Sequence, residues 1–309
     1  MPPLLEKEGP GEVNRYPQSE IARWEEFALA IANLFAVTKQ ERGRLAGRAK
    51  FMGVVYSVVN QKGGIGKTTT AVNLATYMAL AGAKILLVDL DPQGNATSGL
   101  GVDRNKVTAS TYDVLIDGKP VIDAVLATRV TNLSLLPATL DLAGADIELM
   151  PKIARENFLK IALEPAEAYF DIVLIDGPPS LGLLTLNALV ASRAVIIPIQ
   201  TEYYALEGIS QLLKTIDLVK RHLNPSLEIA RVILTMYDDR TRLARQVVED
   251  VRAHFKDKVS PTIVPRNVRL SEAPSHGLPV ALYDPKSKGA IAYQTIAMEV
   301  LKDGKARTR

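Results

Sequence analysis

The stretch Lys62-Gly63-Gly64-Ile65-Gly66-Lys67-Thr68 decides how the rest of the chain is read. It follows an apolar, β-branched run from Val54 to Asn60. It precedes a helical pattern from Thr68 to Ala81 that Gly82 stops. A glycine-rich turn between a buried strand and a helix is where a phosphate loop forms. Glycines let backbone N–H groups turn toward a phosphate, and the helix N-terminus adds more donors and the positive end of its dipole. Lys67 would place a point charge on the β- and γ-phosphates, and Thr68 would offer its hydroxyl to Mg²⁺. The bland alternative is a flexible glycine turn that caps a helix, and the flanking strand and helix weigh against it.

Outward from this loop, strands and helices alternate. Ile85 to Asp89, Leu133 to Leu136, Ile172 to Asp176, Val195 to Ile199 and Ile229 to Thr235 read as short buried strands. Helical patterns lie between them, including Tyr204 to Arg221 and Arg242 to Phe255. Continuous apolar strands interleaved with helices predict an α/β fold, a doubly wound and mostly parallel sheet covered on both faces. Three aspartates fall at strand ends. Asp89 and Asp91 stand in Leu87-Val-Asp-Leu-Asp-Pro-Gln-Gly-Asn95, and Asp176 in Ile175-Asp-Gly-Pro-Pro-Ser180. Carboxylates there, beside a phosphate loop, are placed to hold Mg²⁺ water or to orient an attacking water. A single strand-end aspartate seen alone is as readily a loop or helix cap.

Composition narrows the chemistry. The chain has 309 residues, 47% hydrophobic and 23% charged, proportions that exclude a fully disordered protein. It has no cysteine, which excludes disulfides, thiolate metal sites, iron–sulfur ligation and thiol catalysis. His222, His254 and His276 are too widely spaced for a metal-ligand pattern. No general base is evident, so hydrolysis would rest on positioning and electrostatics and would be slow. No signal peptide is expected, because no basic run followed by an apolar stretch opens the chain, and no run of about 18 apolar residues predicts a membrane helix.

The net charge is only +3, from 37 basic and 34 acidic residues, but it is unevenly spread. Arg231 to Leu270 carries nine basic against five acidic residues, a net +4. Arg242, Arg245, Arg252 and Lys256 fall on related faces of one helix. Such a stripe suits the DNA backbone without reading sequence, and equally suits a solvated helix face.

The loop departs from the generic phosphate-loop pattern. Gln61 stands where that pattern has glycine, and Lys62 is an additional lysine. This resembles the deviant Walker A motif of the ParA/MinD family of P-loop ATPases, and the likeness runs from Met52 to Leu301. Asp91-Pro-Gln-Gly-Asn-Ala-Thr-Ser-Gly99, Gln200-Thr-Glu-Tyr-Tyr-Ala-Leu-Glu-Gly208 and Pro265-Arg-Asn-Val-Arg-Leu-Ser-Glu-Ala-Pro-Ser275 are most similar to the ParA/Soj partitioning branch. The resemblance implies a P-loop NTPase that binds ATP and Mg²⁺. Gly63, Gly64, Ile65, Gly66, Lys67, Thr68 and Thr69 would surround the phosphates. Lys62 would reach across a homodimer to the nucleotide of the other subunit. Asp91 would position the hydrolytic water, Asp176 would be the Walker B type Mg²⁺ carboxylate, and Asp89 would support the metal site. Pro265 and Arg266 would lie against the adenine.

The same resemblance implies that the ATP-bound dimer binds nonspecific double-stranded DNA through Arg242, Arg245, Arg252, Lys256 and Arg269. A ParB-like centromere-binding protein would stimulate hydrolysis and release it. The expected location is the cytoplasm, on the nucleoid. Ala143-Gly-Ala-Asp-Ile-Glu-Leu149 resembles a family helix near the dimer face. The membrane-associated MinD branch uses a C-terminal amphipathic helix. Here Ala290 to Leu301 reads as a helix docked on the sheet, and the polar tail from Lys302 to Arg309 has no anchors. Nitrogenase iron-protein relatives need cysteines that this chain lacks. A DNA-coating scaffold without turnover is opposed by the intact Lys67, Thr68, Asp91 and Asp176.

These boundaries divide the chain into an N-terminal extension, residues 1–51, and one ATPase domain, residues 52–309. In the extension Pro2, Pro3, Pro10 and Pro17 punctuate a partly flexible start. Ser19 is placed to cap one amphipathic helix carrying Ile21, Trp24, Phe27, Ile31 and Leu34, and the basic run Lys39, Arg42, Arg44, Arg48 and Lys50 follows. Met52-Gly-Val-Val-Tyr resembles the usual start of the family, so a misassigned start codon is the bland alternative.

Overall fold

Ile85-Leu-Leu-Val-Asp89 and Ile172-Val-Leu-Ile-Asp176 offer no polar face to water, so both must lie inside a covered sheet. A computed structural model, which describes residues 53–203 and 205–307, places them there. The strands are β1 (Val54–Val58), β2 (Ile85–Asp89), β3 (Leu126–Ala127), β4 (Leu133–Leu136), β5 (Ile172–Asp176), β6 (Ala194–Gln200) and β7 (Glu228–Thr235). The helices are α1 (Lys67–Leu80), α2 (Asn95–Gly99), α3 (Thr111–Leu115), α4 (Val121–Ala124), α5 (Ala145–Leu149) and α6 (Phe158–Leu163). They continue as α7 (Leu183–Ala191), α8 (Ala205–His222), α9 (Arg242–Phe255), α10 (Val268–Glu272), α11 (Val280–Tyr283) and α12 (Lys288–Arg307).

The sheet order is β3-β4-β2-β5-β1-β6-β7. All neighbours run parallel except β3 and β4. The chain starts in the middle at β1, builds one side through β2, β4 and β5, then crosses to β6 and β7. The order therefore reverses at β1, and a crevice at the carboxyl ends of the strands is the expected binding place in such a sheet.

Side chains alternate between the two faces. Tyr56, Val58, Leu87, Leu174 and Ile196 pack on one face with residues of α1 and α12. Val55, Leu86, Val88, Val173 and Ile175 pack on the other with residues of α3 to α7. Val195, Ile197, Val232 and Leu234 complete that face with residues of α7, α8 and α9. No helix among the described residues is long and apolar enough to cross a membrane.

The strand readings hold to within two residues at each end, and Arg242–Phe255 is a helix with the expected bounds. Three differences have physical reasons. β3 was not expected; it is a two-residue antiparallel edge strand, too short to carry a period, and a short edge limits stray pairing. α12 begins before Ala290 and runs through Arg307, past the expected end at Leu301. Lys256 was expected on the basic helix but stands just beyond it, with a positive φ of 50° that ends α9. The whole extension, Met52 and Tyr204 lie outside the described residues.

α1 has no clean apolar stripe because it is covered on two sides, by the sheet and by α12. Thr70 and Tyr293 share a buried hydrogen bond of 2.9 Å between those two helices. Burial pushes the Tyr293 phenol up to about 12, so the proton stays on it at physiological pH. Tyr293→Phe leaves the Thr70 hydroxyl unpaired and is expected to lower unfolding stability by about 1–3 kcal/mol in urea titration. An unchanged midpoint would show that this bond does not hold the two helices in solution.

Candidate functional site

The turn after β1 is tied at three points before it can meet a ligand. Asn60 Nδ2 donates to the Pro198 carbonyl of β6 at 2.7 Å, and its Oδ1 accepts from Lys62 N–H at 3.2 Å. The Thr235 hydroxyl at the end of β7 donates to the Ile65 carbonyl at 2.9 Å. The Ile65 side chain is buried, so Ile65 offers a ligand only its backbone. Gly64 and Gly66 have φ of 74° and 91°, a region that favours glycine, and a Cβ at Gly63 or Gly64 would meet nothing within 4 Å. Gly66 is the N-cap of α1. It makes no side-chain cap, and the first turn holds no acid. The leading N–H groups of α1 thus face the loop without a capping side chain, which is the donor set an anion uses.

Lys67 is almost fully buried, and its ammonium donates to the Lys62 carbonyl at 2.8 Å across the loop. Burial lowers its pKa, while the carboxylates of Asp176 and Asp91 act to hold its proton. Those carboxylates come from strand ends. β2 and β5 pair in register so that Asp89 stands opposite Asp176, and Val58 of β1 stands on its other side.

The three aspartates have different tasks. Asp89 spends both oxygens inside the protein. Its Oδ2 accepts from Thr97 N–H and Oγ1–H at 2.8 and 2.6 Å, and its Oδ1 accepts from Asp91 N–H at 3.3 Å. It anchors the start of α2. Burial pushes its carboxyl up to about 6 against the pull of the Thr97 bonds. Asp91 accepts from Gln93 N–H at 2.9 Å through Oδ1 and lines the cavity. Asp176 is fully buried, and neither of its oxygens has a hydrogen-bond partner. Burial raises its pKa well above the carboxylate range, Asp89 raises it further, and the Thr68 hydroxyl and Lys67 act the other way. No group of three His, Asp or Glu among the described residues is arranged to hold a metal ion alone. Mg²⁺ is commonly held by one or two carboxylates with waters and phosphates, and the lone Asp176 carboxylate beside the Thr68 hydroxyl fits that donor set.

A cavity of about 560 Å³ opens over the loop. Gly63, Gly64, Gly66, Lys67, Thr68, Thr69 and Asp91 line one part. Met236, close to Gly66, also lines it, as do Leu270 and residues 273–275 of the quoted Pro265–Ser275 stretch and, beyond that stretch, residues 278–280. Pro265 and Arg266 are not in that lining. They sit behind it, where Pro265 bridges Tyr237 and Arg266 N–H donates to the Tyr237 carbonyl at 2.9 Å. Asn73 also lines the cavity. Its one sequence signal is a polar amide inside an otherwise buried helix.

The charged residues divide into committed and uncommitted. Lys62 pairs with Glu202 at 3.2 Å, and both are about half exposed. Arg269 pairs with Glu272 at 2.7 Å and Asp284 at 3.3 Å, so its charge is matched at home. Arg231 pairs with Asp303. Arg242, Arg245 and Arg252 are exposed on α9 opposite its buried stripe of Ala244, Val247, Val248, Val251 and Phe255. Lys256 is exposed just past the helix end. These four make no ion pair among the described residues.

Comparison with known proteins follows the same lines. Residues 53–229 match the family model AAA_31, described as an AAA domain. The chain is 58% identical over 253 residues to the sporulation initiation inhibitor protein Soj of Bacillus subtilis, covering 82% of this chain and 100% of that one. It is 52% identical over 266 residues to the chromosome partitioning protein ParA of Myxococcus xanthus, covering 84% of this chain and 94% of the relative. Among solved structures, a Mycobacterium smegmatis protein described as cobyrinic acid a,c-diamide synthase, with bound ADP and magnesium, superposes with a TM-score of 0.73 at 40% identity. That match covers 82% of this chain and 96% of the other.

The buried acids make stability depend on pH. A carboxylate whose native pKa is raised leaves the native state holding more protons than the unfolded one, so stability falls as pH rises from about 4. For Asp89 that fall ends near its native value of about 6. Without nucleotide and with EDTA, Asp176→Asn is expected to unfold at higher urea than wild type at pH 8. The expected gain is on the order of 2 kcal/mol, shrinking toward zero near pH 4. A variant no more stable at pH 8 would show that Asp176 carries no buried charge there.

Proposed function

The chain belongs to the Soj/ParA family of chromosome-partitioning ATPases, and from that premise we propose that it is an ATP-hydrolysing DNA-partitioning switch. The observation that carries the reading is Asp176, a buried carboxylate without a partner, beside Thr68 at the mouth of a glycine loop. Asp176 and Thr68 would hold a phosphate-bound Mg²⁺, which would supply the counter-charge that the buried carboxylate needs. The relative with bound ADP and magnesium supports the choice of ligand.

In this reading residues 52–309 form the ATPase domain and 1–51 an extension to it. The N–H groups of Gly63 to Thr69 and the Lys67 ammonium bind the phosphates of ATP. Thr68 and Asp176 hold Mg²⁺, and Asp89 keeps Asp91 in place from behind. Asp91 orients the attacking water through its cavity-facing side. Met236 and Leu270 border the base, with Pro265 and Arg266 as support behind them. No strong base touches the site, so turnover is slow until a partner protein completes it.

Lys62 leaves Glu202 on ATP binding and enters the site of a second subunit, which makes a homodimer. The dimer doubles the stripe of Arg242, Arg245, Arg252 and Lys256, with Arg269 at its border, and binds nonspecific double-stranded DNA by phosphate contacts. A ParB-like centromere-binding protein stimulates hydrolysis and releases the dimer. The protein then works in the cytoplasm, on the nucleoid.

DNA retention with ATP and Mg²⁺ tests this directly. Lys67→Ala is expected to lose ATP binding. Lys62→Ala is expected to bind ATP yet lose ATP-dependent DNA retention. Arg245→Glu is expected to keep ATP turnover without DNA and to bind DNA with a shallower salt dependence, by about one or two phosphate contacts per dimer. If Lys62→Ala and Arg245→Glu both retain DNA as wild type does, the dimer-gated reading is wrong.

A further inference from the structure

The cavity has two sides that come from distant parts of the chain. The phosphate side is the first turn of α1, and the other is the segment 270–280. Local bonds give that segment its shape. Gly277 N–H donates to the Pro274 carbonyl at 3.0 Å, and Leu278 N–H to the Ala273 carbonyl at 3.2 Å. Gly277 also lies so close to Gly101 that a Cβ would come within 2.8 Å of the Gly101 Cα. These contacts do not register the segment against α1.

Asn73 does. It is 4% exposed and lines the cavity between Thr69 and Val280. Its Nδ2 donates to the Thr69 carbonyl at 2.8 Å, one residue from the Thr68 hydroxyl that acts on Asp176. Its Oδ1 accepts from the Val280 N–H at 2.9 Å, across 207 positions of sequence. Val280 is the first residue of α11 and is fully buried. One planar amide thus donates to the phosphate side and accepts from the opposite wall. Aspartate could accept but not donate, and would set a carboxylate oxygen against the Thr69 carbonyl. Alanine supplies neither bond. An asparagine inside a helix is otherwise unfavourable, since its amide competes with the backbone.

We propose that Asn73 is a positioning residue for the nucleotide reaction: it holds the base-side wall at a fixed distance from the phosphate loop. The inference rests on the ATP reading above. It predicts that loss of the Asn73–Val280 bond weakens recognition of the nucleoside end and spares the phosphate end.

The experiment uses the full chain and two probes, ATP with Mg²⁺ and inorganic tripolyphosphate with Mg²⁺, by titration calorimetry. Asn73→Ala removes the bond from one end. Val280→Pro removes the N–H from the other, at the first helical position and after Pro279, whose extended φ of −67° and ψ of 155° suit a residue before proline. Each variant is expected to weaken ATP binding roughly tenfold, as one buried hydrogen bond does. Tripolyphosphate affinity is expected to stay within about twofold, and the double variant to be no weaker than either single one. ATP turnover should show a raised KM with little change in kcat.

ATP affinity unchanged in both variants, or ATP and tripolyphosphate weakened equally, overturns the proposal. If Asn73→Ala does not fold, Val280→Pro decides alone by the same two probes. A wild type that binds no ATP sinks the ATP reading and this inference together, whereas a wild type that binds ATP no better than the variants sinks only this inference.

Discussion

Two acids at the ends of neighbouring parallel strands organise this molecule. β2 and β5 pair in register, so Asp89 and Asp176 stand side by side in the buried end of the sheet. Two bare carboxylates there would repel each other and lose their hydration. The chain resolves this by treating them unequally. Asp89 receives three donors and becomes the peg around which 91–97 folds. Asp176 receives no such well-formed bond, and the groups that favour its charge are Thr68 and Lys67 of the phosphate loop. The unmet need for positive charge is therefore focused at one carboxylate beside the loop. Stability is given up where a cation and a phosphate would restore it, which is how strained polar sites and binding sites coincide.

The loop is held from β6 through Asn60, from β7 through Thr235 and at the base of α1 through Thr70 and Tyr293. These are neutral hydrogen bonds, all three buried, worth about 1 kcal/mol each and costly only when broken on one side. Their combined effect is preorganisation. The N–H groups of the glycines are fixed before a ligand arrives, so less ordering remains to oppose binding. α12 adds a second contact at a distance. Glu299 accepts from Ser260 at 2.6 Å and from Thr262 at 2.8 Å, and Asp303 pairs with Arg231 of β7. One helix thus touches both the phosphate-loop helix and the segment that follows α9.

Much of this was legible in the residues. The seven-residue loop, the strands that end in Asp89 and Asp176 and the bounds of α9 all follow from strong local patterns, because a glycine turn and a buried β-branched run each have few other uses. Pairwise assignments were harder. Asp89 and Asp176 look alike as strand-end acids, and only the position of Thr97 in space makes one an anchor and leaves the other bare. Arg269 looks like its basic neighbours until Glu272 and Asp284 are found beside it. The wall from Leu270 to Val280 overlaps the quoted Pro265–Ser275 stretch only as far as Ser275, and its remainder carries no motif. It becomes a wall because α11 docks on α1, a contact set by tertiary packing and not by period. Lys256 does not extend the basic face of α9 because it is the residue that caps the helix, where the chain turns through a positive φ.

The two lysines of the loop show how a sequence exception becomes a physical difference. Lys67 is buried, bonded to the Lys62 carbonyl and held by two carboxylates, so moving it would uncover a desolvated charge. Lys62 is about half exposed, and its single ion pair with Glu202 is of the exposed kind, worth under about 1 kcal/mol. Lys67 is thus locked in the loop, and Lys62 is loosely tethered beside it. The uncommitted arginines of α9 follow the same rule: their stems lie on a helix fixed by a buried apolar stripe, while their charges remain in water. The rigid scaffold and the loosely held charges are separate sets of residues, so a change in the surroundings of those charges need not disturb the packed core.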